Sequence, residues 1–101
     1  MTMAGLSATE KFFTWLRVEQ GRSPLTIEAY GRDLRHYEKF LSDQSSDVHH
    51  VQPEQIERYV ASLQAGGRAP KSVARQFAAV RMLHRFMSDE GLRGDNPTTI
   101  L

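Results

Sequence analysis

The apolar residues of this chain recur at helical spacing in four separate stretches, with no stretch that alternates like a strand. The second stretch is the clearest, because its apolar side chains fall at positions 27, 30, 34, 37 and 41. Steps of three and four residues place these side chains along one stripe of a helix. The pattern predicts an all-α fold with four main helices, over about residues 7–20, 24–42, 53–65 and 70–90.

Start and stop signals support these boundaries. Ser7 and Glu10 have the spacing of a capping box, and Ser23 precedes a proline in the first helical position. Pro53 and Pro70 open the third and fourth helices in the same way, and Gly91 is a candidate C-terminal cap. The polar connections between these signals predict short loops inside one domain.

The fourth helix can be placed on a wheel of about 100° per residue. Its predicted inward stripe consists of Val73, Phe77, Val80, His84 and Met87, with Leu83 at the edge. On this wheel Lys71 and Arg75 lie directly opposite the core, with Arg81 and Arg85 on one flank. The small side chains of Ala74, Ala78 and Ala79 lie between them, and Ser72 and Gln76 flank the stripe. The wheel predicts an outer face that is basic and closely approachable.

Composition limits the class of protein. The 101 residues are enough for one domain, and 40% of them are hydrophobic. There is no cysteine, which excludes disulfides and thiolate metal sites. No apolar run approaches the roughly 20 residues of a membrane span, and no signal peptide is expected. The chain is therefore expected in the cytoplasm and away from membranes.

The distribution of charged residues along the sequence is more informative than the net charge. The chain has 13 basic and 12 acidic residues, yet residues 59–88 contain no acid. The cations of this acid-free block are Arg68, Lys71, Arg75, Arg81 and Arg85. Like charges four residues apart each cost a helix roughly 0.2–0.5 kcal/mol, so the pattern indicates an anionic partner. Double-stranded DNA is the leading candidate, and an acidic partner protein bound by a helical interaction domain is the alternative.

The residue types suggest how DNA would be contacted. Arg22, Ser23 and Thr26 combine a cation, two hydroxyls and a helix N-terminus, which suits a phosphate. Lys71 or Arg75 could bind guanine and Gln76 adenine, while Arg81 is expected on the backbone. On this basis, alanine at Arg75 or Lys71 should weaken DNA binding and leave thermal stability unchanged or slightly higher.

No pattern for catalysis or cofactor binding is present in the sequence. There is no phosphate-binding loop, dinucleotide fingerprint or nucleophile elbow. His49 and His50 are adjacent but lack further ligands at metal spacing. We expect no metal, no cofactor, no small-molecule substrate and no catalytic residue in this chain.

Several short stretches together resemble the N-terminal core-binding domain of tyrosine recombinases, and most closely that of the Xer recombinases. They are Ser23–Thr26, Tyr30–Leu34, Ser72–Arg75, Val80–Arg81 and Asn96–Pro97. The resemblance implies a SAM-like orthogonal bundle that binds one recombination half-site, with the second and fourth helices facing the major groove. Gly31 and His84 depart from the family pattern, in which a helix-favouring residue and an aromatic are usual.

The resemblance also assigns residues and partners. It marks Ser23, Thr26, Arg32, Ser72, Arg75 and Arg81 as DNA-facing, while Arg22, Arg68, Lys71 and Gln76 come from the charge pattern alone. It implies a domain over residues 1–95 and the start of an interdomain linker at 96–101. The family's catalytic domain would then follow and is absent from this chain. Other recombinase protomers, in a synaptic tetramer, are the implied protein partners.

Overall fold

Four α-helices make up the computed structural model, which describes residues 6–101. They are α1 (Ala8–Val18), α2 (Pro24–Asp43), α3 (Pro53–Ala65) and α4 (Pro70–Asp89). Within this part of the chain there is no strand. The predicted all-α class is confirmed, and each helix boundary lies within two residues of its predicted position.

Local capping explains where α1 and α2 begin. The Ser7 hydroxyl accepts from the Glu10 amide at 3.1 Å, and the Glu10 carboxylate accepts from the Ser7 amide at 3.3 Å. The Ser23 hydroxyl accepts from the amide of Thr26 at 3.2 Å. These bonds satisfy amides that have no partner inside the helix, so each start is defined by its own sequence.

The two long helices form the centre of the bundle. α2 and α4 pack against each other, and each also packs against both short helices. α1 and α3 each pack on this pair, and within residues 6–101 they do not contact each other. The largest fully buried side chains include Phe12 from α1, Tyr37 from α2 and Tyr59 from α3. A helix with three neighbours must bury a wide arc of its surface. α4 buries more residues than α2, the other helix with three neighbours.

The inward face of α4 differs from the predicted one. Its buried residues are Val73, Gln76, Ala79, Val80, Leu83, His84, Phe86 and Met87. Their mean direction is rotated by about 50° from the predicted stripe. Ala79 and Leu83 are therefore core residues, whereas Phe77 is only partly buried. The same rotation moves Arg75 from the outermost position to the flank of the helix, and it moves Arg81 and Arg85 outward.

Gly31 lies buried in the middle of α2, and a methyl group would fit there. A Cβ atom would be 3.4 Å from the Arg35 Nη1 atom and 3.8 Å from the Phe13 Cζ atom, which are ordinary contacts. Since glycine inside a helix costs about 0.5–1 kcal/mol relative to alanine, Gly31→Ala is expected to raise the free energy of unfolding by that amount. Urea denaturation measures the change.

Gly67 supplies the matched control for this substitution. Its φ angle of +77° lies in the left-handed region, where a side chain is strained. Gly67→Ala is therefore expected to lower stability although nothing lies within 4 Å of its Cβ position. A loss of stability in Gly31→Ala would contradict the packing described for α1 and α2.

The segment after α4 is attached to the loop between α2 and α3 by one arginine. Arg93 donates to the carbonyl oxygens of Val48 at 3.2 Å and Val51 at 2.6 Å, and also to Asp95 at 2.6 Å. Further along, Thr98 is buried and donates to the side chain of Asn96. The residues expected as the start of a linker thus form a turn against the bundle, and where a linker begins stays a prediction.

Candidate nucleic-acid interface

Two cations of the acid-free block bond to side chains of α2, and the other three lie in the first turn or on the outer face of α4. At one end of the contact between α2 and α4, Arg68 bonds to His36 of α2, and in the middle Arg75 bonds to Asp33. At the other end, Arg22 and Arg85 line one groove together with residues of α1 and α4, among them the acids Asp89 and Glu90. We call Arg68, Arg75, Arg85 and Arg22, together with His36 and Asp33 of α2, the α2–α4 seam. The structure thus places Arg22, which precedes α2, in the same groove as Arg85 of α4.

The start of α2 is ordered by its own hydroxyls. The Ser23 hydroxyl donates to the Thr26 hydroxyl at 3.0 Å while it accepts from the Thr26 amide. Arg22 is exposed just before this cap. A helix N-terminus attracts anions through its free amides and its dipole, so Arg22 and the cap form one cationic end of the seam.

Arg32 is already paired on its own helix. It donates to Glu28 at 3.2 Å, and both side chains are more than 60% exposed. A solvated pair of this kind contributes little to stability and leaves the charge almost neutralised. Arg32 therefore brings less positive charge to the surface than its place in the family motif suggests.

Arg75 forms a two-bond ion pair with a buried acid of α2. Its Nε and Nη2 atoms donate to the two carboxylate oxygens of Asp33, at 3.0 and 2.9 Å. Asp33 is only 3% exposed, whereas the Arg75 side chain is 46% exposed. The hydrogen bonds to Asp33 raise the pKa of Arg75 above its usual value. The expectation that Arg75 points directly away from the core was wrong, because α4 is rotated and α2 supplies a buried acid.

Gln76 is buried as well, with 4% of its surface exposed. Its Oε1 atom has no hydrogen-bond partner among the described protein atoms. The predicted position beside the stripe was therefore wrong, since the rotation of α4 turns Gln76 inward. In this arrangement its amide is not presented to a base.

Lys71 and Arg68 lie at the start of α4, and both are exposed. Among residues 6–101, neither forms an ion pair with a carboxylate. Ser72, next to Lys71, is half-buried. Lys71 sits in the first turn of α4, where the helix dipole adds to its positive charge.

His36 connects Arg68 to the core and was not foreseen. Arg68 Nη2 donates to His36 Nε2 at 3.2 Å, and the other ring nitrogen lies 3.0 Å from the Tyr59 hydroxyl. Because arginine only donates, Nε2 accepts, and the proton of the neutral ring is on Nδ1, facing Tyr59. Burial and the nearby Arg68 lower the pKa of His36. The contact holds Arg68 beside α2 without cancelling its charge.

The last two cations of the block lie outermost on α4. The guanidinium carbon of Arg81 is 5.7 Å from the centre of the Phe77 ring, within the range of a cation–π contact. Arg85 lies 3.9 Å from Asp89, which follows the block directly in sequence. Of the five cations, therefore, Arg75 and Arg85 have acids close in space, and the premise that nothing relieves them was incomplete.

Across residues 6–101 there is no group of three or more His, Asp or Glu side chains that could hold a metal ion. No helix in the same range is long and apolar enough to span a membrane.

Comparison with known proteins agrees with the resemblance. The sequence model described as "Phage integrase, N-terminal SAM-like domain" matches residues 9–91. Tyrosine recombinase XerD of Bradyrhizobium diazoefficiens is 38% identical over 93 residues, which are 92% of this chain and 29% of that protein. XerD of Caulobacter vibrioides is 37% identical over 94 residues, covering 93% of this chain and 31% of that protein.

A third relative gives the same result over the whole chain. Tyrosine recombinase XerD of Brucella abortus is 35% identical over 101 residues, which are 33% of that protein. The chain thus spans about a third of the length of the curated relatives it matches. The predicted resemblance is confirmed, and the chain belongs to the phage integrase N-terminal SAM-like domain family of the tyrosine recombinases.

Proposed function

We propose that this chain is the DNA-binding domain of a site-specific tyrosine recombinase and holds one recombination half-site. The α2–α4 seam carries this proposal, because it groups four arginines on a chain whose net charge is only +1. Among the described residues, two of them, Arg22 and Arg68, form no ion pair with a carboxylate. The two long helices that form the seam are also the pair that the family resemblance directs toward the major groove. A groove about 12 Å wide admits one helix, so α4 would enter it and α2 would follow the backbone.

The exposed cations divide by position into two roles. Arg22 lies beside the capped start of α2, and Arg68 and Lys71 lie at the start of α4, which suits phosphate oxygens. Arg75 is the member of the seam whose guanidinium is held in one orientation, which suits bidentate contact. Arg81 lies on the outer face of α4 and would reach the backbone. Ser23, Thr26 and Ser72 would add hydroxyl contacts at the two helix starts.

The rest of the activity is proposed for other parts of the protein. The relatives are named tyrosine recombinases and are about three times the length of this chain. DNA cleavage and joining would then belong to the length that this chain does not cover. Other recombinase protomers would be its protein partners during synapsis. A function on chromosomal DNA also places the protein in the cytoplasm.

A salt titration of duplex binding tests the proposal. Each phosphate neutralised contributes about −0.9 to the slope of log affinity against log salt. Four or five seam and helix-start cations give a slope of about −4, with dissociation constants near 10⁻⁴–10⁻⁶ M for non-specific duplexes. Absence of duplex binding even at low salt, with binding to an acidic protein instead, would favour the alternative of a protein-interaction domain.

Lys71→Ala gives the residue-level form of this test. We expect weaker binding to every duplex and a salt slope shallower by about 0.9, because one phosphate contact is removed. Thermal stability should not change, since Lys71 is exposed. Arg58→Ala is the matched control, because Arg58 is exposed on α3 and outside the seam. Equal losses for Lys71→Ala and Arg58→Ala would mean that binding follows total charge and not the position of a cation at the start of α4.

A further inference from the structure

An acidic residue lies at the centre of the proposed DNA-binding surface. Asp33 is part of α2 and bonds to Arg75 halfway along the α2–α4 seam. By charge alone, a carboxylate there would repel DNA phosphates and weaken binding. Its side chain is nevertheless almost completely buried, and both of its oxygens are occupied by Arg75. The position of Asp33 within this surface therefore cannot be explained by attraction to DNA.

The geometry of the pair leaves one edge of Arg75 available. A guanidinium is planar and carries five N–H donors in a fixed arrangement. Asp33 takes the edge formed by Nε and Nη2, which fixes the plane of the group. Among the described residues, the Nη1 atom has no hydrogen-bond partner, and the side chain is about half exposed. The free edge is therefore held in one direction, pointing out of the seam.

We propose that Asp33 is a positioning residue, which holds the free edge of Arg75 toward acceptor atoms on duplex DNA. The inference rests on the proposed DNA-binding function. The acceptors are a pair of oxygen or nitrogen atoms, either on a guanine edge or on a phosphate, and both suit a preordered guanidinium. An arginine fixed before binding loses less rotamer freedom on contact than a mobile one.

Asp33→Asn separates positioning from electrostatics, because the two explanations predict opposite changes in the affinity for DNA. Removing a negative charge from the seam should tighten DNA binding if charge alone matters. An asparagine offers one acceptor oxygen in place of two, so the clamp on Arg75 is lost while its charge remains. The expected result is binding about 3–10-fold weaker at the same salt concentration, with the salt slope unchanged.

Asp43→Asn is the control for charge. Asp43 is on the same helix and pairs with Lys39 at 3.3 Å, but both side chains are exposed. Removing this acid should leave the affinity unchanged or slightly higher. Fluorescence anisotropy at a temperature where circular dichroism shows each variant fully folded makes the comparison independent of stability.

Arg75→Lys provides a second measurement in case Asp33→Asn folds poorly. Lysine keeps the charge but cannot make the two-bond clamp. It should lower the affinity by a similar factor, and the double variant should bind no more weakly than either single one.

Two duplexes of equal length, one of G·C pairs only and one of A·T pairs only, separate the two candidate acceptors, guanine and phosphate. A loss confined to the G·C duplex indicates guanine, and equal losses indicate phosphate.

The outcomes are distinguishable from failure of the proposed function. If the original chain binds no duplex, both the function and this inference are overturned. If it binds, but Asp33→Asn binds as well as the original chain or better, only the positioning role is overturned, whatever the effect of Arg75→Lys. If the double variant shows the summed losses of the two single variants, the two residues act independently and the positioning role is also rejected.

Discussion

Replacing Arg75 with alanine is expected to lower the free energy of unfolding by about 3 kcal/mol, because it would leave Asp33 buried without its partner. Both carboxylate oxygens of Asp33 bond to Arg75, and Asp33 is only 3% exposed. This reverses the result expected from sequence, in which the loss of a like-charge neighbour would leave stability unchanged or slightly raised. Thermal and urea denaturation at neutral pH measure the effect.

Two comparison variants show whether the buried acid is the cause. Lys71→Ala, one turn earlier on α4, should leave the stability unchanged because Lys71 is exposed. Arg75→Ala combined with Asp33→Leu removes both charges and should recover a large part of the loss. A loss below about 1 kcal/mol in Arg75→Ala alone would mean that water solvates Asp33 once the arginine is gone.

Acidification from about pH 6.5 to about pH 4 is expected to remove roughly 3 kcal/mol of stability through His84. This residue is fully buried, and its Nε2 atom lies 2.8 Å from the Tyr37 hydroxyl. Burial, followed by the nearby Arg93, lowers the pKa of His84 to about 4. The unfolded chain binds this proton first, near pH 6.5. The stabilisation is therefore complete above that pH and is lost as the pH falls through the folded pKa.

The double variant Tyr37→Phe with His84→Phe tests the assignment. It removes the titrating group together with its hydroxyl partner, so no polar atom of the pair is left buried alone. Its free energy of unfolding should be much flatter between pH 4.5 and 7. His36, whose pKa is also lowered, leaves a smaller slope of the same sign. Identical pH profiles for the original chain and the double variant would rule out His84 as the source.

The helices were predictable because the signals that define them are local. The capping pair of Ser7 and Glu10 and the prolines after each loop act within a few residues. The inward face of α4 was not predictable in the same way. The wheel weighted the large side chain of Phe77, while contact with three other helices buries a wider arc that includes Gln76 and Ala79.

The pair of Asp33 and Arg75 joins residues 42 positions apart, which no helical spacing rule detects. One signal in the sequence does point to it. On the wheel of α2, Asp33 lies at the edge of the apolar stripe, about 40° beyond Tyr37. An acid at the edge of an inward stripe requires a cation nearby if it is buried, since an unpaired buried charge is costly. The partner's identity depends on how α2 and α4 cross, which only the three-dimensional structure gives.

The absence of contact between α1 and α3 has a consequence for how the domain tolerates sequence change. Since, among the helices of residues 6–101, each short helix contacts α2 and α4 but not the other short helix, substitutions on α1 should add independently to substitutions on α3. The sequence of α1 or of α3 can then diverge, or acquire a new binding partner, without requiring compensating substitutions in the other short helix. The central pair has no such freedom, because every other part of the bundle depends on its packing.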